Sequence, residues 1–291
     1  MTNIIGCHGA VWAGSIDDEG FRAMVEGTRK AGFDMLELPL LDPYGFDAKA
    51  ARAILDESGL GINASLALSY DTDISSERPE AIAAGEALLE RAVDVLHDLG
   101  GHYLIGVTYG ALMKHAGPAT EQGRRNGIEV LRRIAEKARA ADMVLGLEVV
   151  NRYESNLFNT AKEALAYLDE IDNDNVKIHL DTYHMNIEES DMFGPVLASA
   201  DKLGYIHIGE SHRGYLGSGS VDFDSFFRAL AIAGYTGPIT FESFSSVVVD
   251  PGFSNMLAIW RNLWDDADDL GREANYFIRN KLRAVETITL Q

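Results

Sequence analysis

Residues 144–150, Val144-Leu145-Gly146-Leu147-Glu148-Val149-Val150, form an apolar run broken by one carboxylate, and Thr160 followed by Glu163 then opens a helix with a capping box. A buried strand handing over to an amphipathic helix is the unit of a parallel α/β protein. The same rhythm runs outward in both directions. Strands are predicted at Ile4–His8, Met35–Leu40, Ile62–Leu68, Tyr103–Val107, Val144–Val150, Val176–Asp181, Tyr205–Ile208 and Ile239–Phe244. Between them lie helical stripes such as Leu88, Ala92, Val95, Leu96 and Leu99, or Phe223, Phe226, Phe227 and Leu230. Glycine follows the expected helix ends at Gly32, Gly59, Gly100 and Gly234. Eight alternating units imply parallel strands with right-handed crossovers. Fewer than 300 residues, and no G-x-G-x-x-G turn after the first strand, favour a closed (β/α)8 TIM barrel over an open doubly wound sheet. The reading is one barrel domain over 1–291, with a C-terminal helical extension at about 265–291. Within it, Asn275 to Leu290 is expected to form a helix on the barrel or on a neighbouring subunit.

The net charge of −20 opposes binding to phosphate polymers, so neither nucleic acid nor a membrane is an expected partner. A lone cysteine, Cys7, cannot close an internal disulfide and suits a reducing compartment. With no signal-like N-terminus and no run long enough to span a bilayer, the expected location is the cytoplasm.

Active sites of such barrels sit where the strands end at their C-termini. Glu148, Asp181, His207 and Glu242 lie near that end of strands five to eight, each interrupting an apolar run. A carboxylate inside a buried strand is costly unless paired or bound to a cation. Successive strands are neighbours in a barrel, so the four side chains can converge on one ion. Three carboxylates and one imidazole suit Mn²⁺, Mg²⁺ or Co²⁺ better than a structural zinc. One divalent ion per subunit is expected, Mn²⁺ first among the three.

The loops beyond these strands carry Asn151-Arg152-Tyr153-Glu154, Thr182-Tyr183-His184-Met185-Asn186 and Gly209-Glu210-Ser211-His212-Arg213, a rim suited to a polyhydroxy substrate. Arg152 also reads as a bridge between helices. His179 shares the strand face of Asp181 and reads as a satisfied interior histidine or as a partner that orients a ligand. Glu37 reads either as a pocket-rim group or as a structural hydrogen-bonding group.

The run Glu148-Val149-Val150-Asn151-Arg152-Tyr153-Glu154 resembles the E-x-x-N-R-[FY]-E segment of D-tagatose and D-psicose (allulose) 3-epimerases. Leu180 to Glu189 is similar to their L-D-T-[FY]-H-M-N-I-E-E segment. His207-Ile208-Gly209-Glu210 with Arg213 resembles H-[IV]-G-E-x-x-R, and Phe241-Glu242-Ser243-Phe244 matches their final glutamate strand. The resemblance spans most of the chain and is strongest to the L-ribulose 3-epimerase subgroup of these xylose-isomerase-like barrels. It departs at His212, where many relatives have Asn, and in the loop Gly214–Phe223; both bear on sugar preference rather than on the chemistry. The resemblance implies that Glu148, Asp181, His207 and Glu242 hold the metal and that Glu148 and Glu242 double as the acid/base pair. It implies that Glu154, His184 and Arg213 bind hydroxyls around C1 to C3, that Trp12 and Phe244 wall the distal end of the sugar, and that the protein is a dimer or tetramer.

The expected reaction is C3 epimerisation of a free ketose through an enediolate. Proton removal and return on opposite faces demand two carboxylates. An aldose–ketose or hydroxypyruvate-type isomerase on the same metal site remains the alternative. A sugar-phosphate enzyme, a metal endonuclease and a non-catalytic sugar-binding protein are more distant ones.

Overall fold

The computed structural model describes residues 2–286. All eight expected strands form: β1 Ile5–His8, β2 Met35–Pro39, β3 Gly61–Ser65, β4 Tyr103–Gly106, β5 Val144–Glu148, β6 Val176–Asp181, β7 Leu203–Ile208 and β8 Ile239–Phe241. They pair in chain order, every pair parallel, and β8 closes on β1. The near-continuous burial of these strands is what a sheet enclosed by helices requires.

The principal helices are α1 Asp18–Lys30, α2 Ala48–Ser58, α3 Pro79–Leu99, α4 Glu121–Ala140, α5 Ala161–Ile171, α6 Thr182–Glu188, α7 Gly194–Ser199, α8 Phe223–Ala233, α9 Pro251–Met256 and α10 Ala267–Glu286. The capping box expected at Thr160 and Glu163 opens α5. Gly59 and Gly234 close α2 and α8 at φ +73° and +65°, where a side chain would be strained.

Two details of the strands position the site. β7 begins at Leu203, two residues before the expected Tyr205, because Gly204 hid its start. The pairing shifts there, from Ile178↔Leu203 to His179↔Tyr205, and this brings Asp181 level with His207. β8 ends at Phe241, yet the Glu242 N–H still donates to the Ile208 carbonyl at 3.1 Å, so the side chain stays at the barrel mouth.

The C-terminal helix α10 starts earlier than the Asn275 expected. It packs on this barrel: Asn275 Nδ2 donates to the Ala31 carbonyl at 2.8 Å, and Arg279 and Lys281 pair with Asp34 and Asp224. The remainder of the expected extension, 287–291, lies outside the described residues. Among the described residues no helix is long and apolar enough to cross a membrane.

Candidate active site and metal centre

The C-terminal ends of β5 to β8 converge as the sequence predicts. Ligand atoms of Glu148, Asp181, His207 and Glu242 lie within 4.8 Å of one another, and all four residues are buried. His207 Nδ1 stands 3.6 Å from Glu148 Oε1, 3.4 Å from Glu242 Oε1 and 4.0 Å from Asp181 Oδ2. Among the described residues it has no hydrogen-bond partner. A buried ring nitrogen facing three carboxylates without a partner is the arrangement a divalent cation satisfies, so the residues fit the ion their chemistry implies. Asp181 also caps α6: Oδ1 accepts the Tyr183 N–H at 2.7 Å, which leaves Oδ2 for the site.

The electrostatics of the four are unequal. Burial pushes Glu148 up to about 7, with Glu242 and Asp181 adding to the effect and His207 opposing it. Burial acts upward on Glu242 as well, but there the Arg213 guanidinium and His207 outweigh it and hold the carboxyl well below its usual range. Asp181 is raised by burial against the pull of Arg213.

Arg213 enters the mouth from the β7–α8 loop, which Glu210 organises. The Glu210 carboxylate is fully buried and accepts the backbone N–H groups of Ser211, Gly217 and Val221. Arg213 itself adopts φ +62°, an uncommon conformation for a side-chain-bearing residue. Its guanidinium lies 4.0 Å over the Tyr183 ring.

The segments that follow β5 and β6 contact one another. The Asn151 backbone N–H and side-chain amide both donate to His184 Nδ1, at 3.2 and 2.8 Å, so the His184 proton sits on Nε2. That Nε2 faces Glu148 at 3.6 Å, Asp181 at 3.7 Å and Glu154 at 4.0 Å. Asn151 Nδ2 also donates to Glu154 Oε1 at 2.8 Å. Arg152 points away from the cavity and pairs with Glu188 of α6, the bridging option weighed from the sequence. Thr182 Oγ1 ties α6 to the end of β7 through Gly209.

A cavity of about 710 Å³ opens at the barrel mouth, reaching Glu148 and Glu242 of the four. Glu148, Glu154, His184, Arg213, Glu242 and Phe244 line it. Trp12 does not. After β1 the chain turns through Gly9–Val11, and the indole packs outward against Gly27 of α1 and Gly271 of α10, where neither glycine leaves room for a Cβ. The expected Trp12 wall is therefore corrected to a packing role in the helical shell. His179 is also corrected in part: it is buried edge-on against His207, ring centroids 4.1 Å apart, but neither ring nitrogen has a hydrogen-bond partner among the described residues.

Two groups of lining residues escaped the sequence reading. His8, at the end of β1, presents Nε2 to the cavity beside Ser65. Phe253, Met256, Leu257, Ile259 and Trp260, on and after α9, build an apolar outer wall. Their signal was an apolar stretch around Asp250-Pro251 with no clean period.

A closed parallel barrel with a carboxylate-rich centre at its C-terminal mouth defines an isomerase of the xylose isomerase-like class. The profile of the xylose isomerase-like TIM barrel family matches residues 25–270, and the chain belongs to that family. Within it the chain stands among the ketose 3-epimerases. It is 57% identical over 286 residues to a ketose 3-epimerase of Arthrobacter globiformis, covering 98% of this chain and 99% of the relative. It is 51% identical to an L-ribulose 3-epimerase of Methylomonas sp. (strain DH-1), covering 95% and 96% of the two chains. The solved D-allulose 3-epimerase of Methylomonas sp. in complex with D-allulose superposes with a TM-score of 0.95 at 50% identity, covering 96% of this chain and 97% of that one.

Proposed function

We propose that this protein inverts C3 of free ketoses, with Glu148, Asp181, His207 and Glu242 holding one divalent cation, Mn²⁺ in preference to Mg²⁺ or Co²⁺. One observation carries the reading. Glu148 and Glu242 reach the same buried His207 nitrogen from β5 and β8, 3.6 and 3.4 Å away, so a substrate seated over that point meets both carboxylates.

C3 of a ketose carries a hydrogen acidified by the adjacent C2 carbonyl. A divalent cation in the site would stabilise the negative charge that grows on the substrate oxygens by several kcal/mol. The chain's own residues handle the proton. Glu242, kept ionised by Arg213, accepts the C3 proton of one epimer. The C–H electron pair forms the C2–C3 double bond while the carbonyl π pair moves onto O2, giving a planar enediolate. Glu148, across the site, returns a proton to C3 from the opposite face. The other epimer runs the exchange in reverse. The His184 Nε2–H and the Arg213 and Glu154 side chains bind the hydroxyls about C1 to C3, and Phe244 walls the distal end.

The names of the relatives support free pentuloses and hexuloses such as L-ribulose and D-allulose as substrates. We further propose that the protein works in the cytoplasm as a dimer or tetramer. The deciding experiment is NMR of a free ketose turned over in D₂O with Mn²⁺. Deuterium at C3 with inversion supports epimerisation, and label confined to C1 or C2 rejects it in favour of aldose–ketose isomerisation.

A further inference from the structure

Glu37 sits on β2, across the barrel from β7, and is completely buried. Its two carboxylate oxygens lie 3.0 and 2.9 Å from His207 Nε2, and Oε2 also accepts the Tyr205 hydroxyl at 2.9 Å. Tyr205 OH is shared in turn with Thr240 Oγ1 at 2.8 Å. No lysine or arginine pairs with Glu37 among the described residues; its ion-pair partners are His207 and, at 3.8 Å, His8. A carboxylate is costly in such a place, and hydrophobic packing alone would be better served by a leucine.

We propose that Glu37 is a positioning residue for metal capture, locking His207 into the Nε2–H tautomer with its Nδ1 lone pair aimed at the three carboxylates. The inference rests on the metal site proposed above. A carboxylate can only accept, so Nε2 must donate to it; the other tautomer would set two lone pairs against each other at 2.9 Å. With the proton fixed on Nε2, Nδ1 is free as a ligand atom, and it is the ring nitrogen that lacks a partner. The contact also fixes the plane of the ring, because both carboxylate oxygens approach the same nitrogen. His8 is set differently: its Nδ1 accepts the Ala10 N–H, so its Nε2–H points at Ser65 and the cavity and competes little for Glu37.

The test compares Mn²⁺ binding to metal-stripped wild type, Glu37→Gln and Tyr205→Phe, following free Mn²⁺ by electron paramagnetic resonance, with a far-UV spectrum and melting curve of each apoprotein. Glu37→Gln preserves shape but offers a neutral amide, and its Kd for Mn²⁺ should rise about 10–100-fold. Tyr205→Phe removes the other partner of Glu37 while leaving the bond to His207, and its Kd should stay near that of wild type. Unchanged affinity in Glu37→Gln would overturn the proposal, as would an equal loss in both variants, which would mark a packing effect. If wild type itself binds no Mn²⁺, the metal site fails before Glu37 is tested. Should Glu37→Gln not fold, ¹⁵N–¹H correlation of the imidazoles in Mg²⁺-loaded wild type decides: a His207 proton on Nε2 supports the role, and one on Nδ1 ends it.

Discussion

Arg213 Nη1 lies 2.6 Å from Glu242 Oε2, and the same nitrogen is 2.9 Å from Asp181 Oδ2. Among the described residues Glu148 has no such neighbour; the groups within ion-pair reach of it are the imidazoles of His184 and His207. In the metal-free site one arginine thus divides two otherwise similar glutamates: burial raises Glu148 to about 7, while Arg213 holds Glu242 well below its usual range.

Glu148→Gln and Glu242→Gln should each cut kcat by at least about 10²–10⁴-fold, the usual worth of a positioned proton transfer. The more telling outcome is stereochemical. A variant with one carboxylate left can still remove and restore a proton on its own face, so in D₂O each should exchange the C3 hydrogen of one epimer without inverting it, and the two variants should favour opposite epimers. Near-normal epimerisation by either variant, followed by NMR, would eliminate the two-carboxylate mechanism.

Arg213→Lys retains the charge but not the fork. An ammonium could take the place of Nη1 between Asp181 and Glu242, but it would give up the planar stack on Tyr183 and the second guanidinium nitrogen beside His184. Loss of one charged hydrogen bond costs about 1.5–3 kcal/mol. The expected result is a fall of roughly 10–100-fold in kcat/KM. Steady-state kinetics on a free ketose check it, and a change under twofold would place Arg213 outside the machinery.

Metal removal should couple to pH through Glu148. Its carboxyl is raised by burial to about 7 in the folded protein, above the ordinary value of 4.5. A raised carboxyl stabilises the fold fully below the unfolded value and loses that contribution as pH climbs through the folded one. The apoprotein should therefore lose Tm as pH rises from about 5 to 8, whereas a bound cation takes over the neutralisation. The gap in Tm between Mn²⁺-loaded and EDTA-treated protein should widen over that range, and Mn²⁺ affinity should weaken as pH falls below about 7 because proton and metal compete. Calorimetry at several pH values measures both, and a pH-independent gap would remove Glu148 from the ligand set.

The barrel and its four central residues were legible because they rest on chain order. Glu148, Asp181, His207 and Glu242 interrupt apolar strands at the same end, and in a closed barrel consecutive strands must be neighbours. Glu37 was harder to place. Alternation tells which residues share a face of β2, but not that the barrel interior would put this one against His207 on β7, 170 positions away. The outer wall after α9 was missed because its residues follow neither a two-residue nor a 3.6-residue period. Trp12 was misplaced because the resemblance implied a place in the sugar wall, whereas the turn at Gly9–Val11 sends it the other way.

That outward Trp12 carries its own prediction. The indole fills a slot made by Gly27 and Gly271, and it touches none of the cavity. Gly271→Ala forces a methyl group into the ring and should cost about 1–3 kcal/mol, the range for overpacking. Trp12→Ala empties the slot and should cost about 2–3 kcal/mol, below the range for fully buried tryptophans because the ring is only partly buried. At roughly 2–4 °C per kcal/mol both losses are measurable in a melting curve. Because the slot lies between α1 and α10, outside the barrel mouth, KM for a free ketose should not move in either variant that remains folded at the assay temperature. A KM that rose in Trp12→Ala but not in Gly271→Ala would return the tryptophan to the sugar wall and overturn its assignment to the shell.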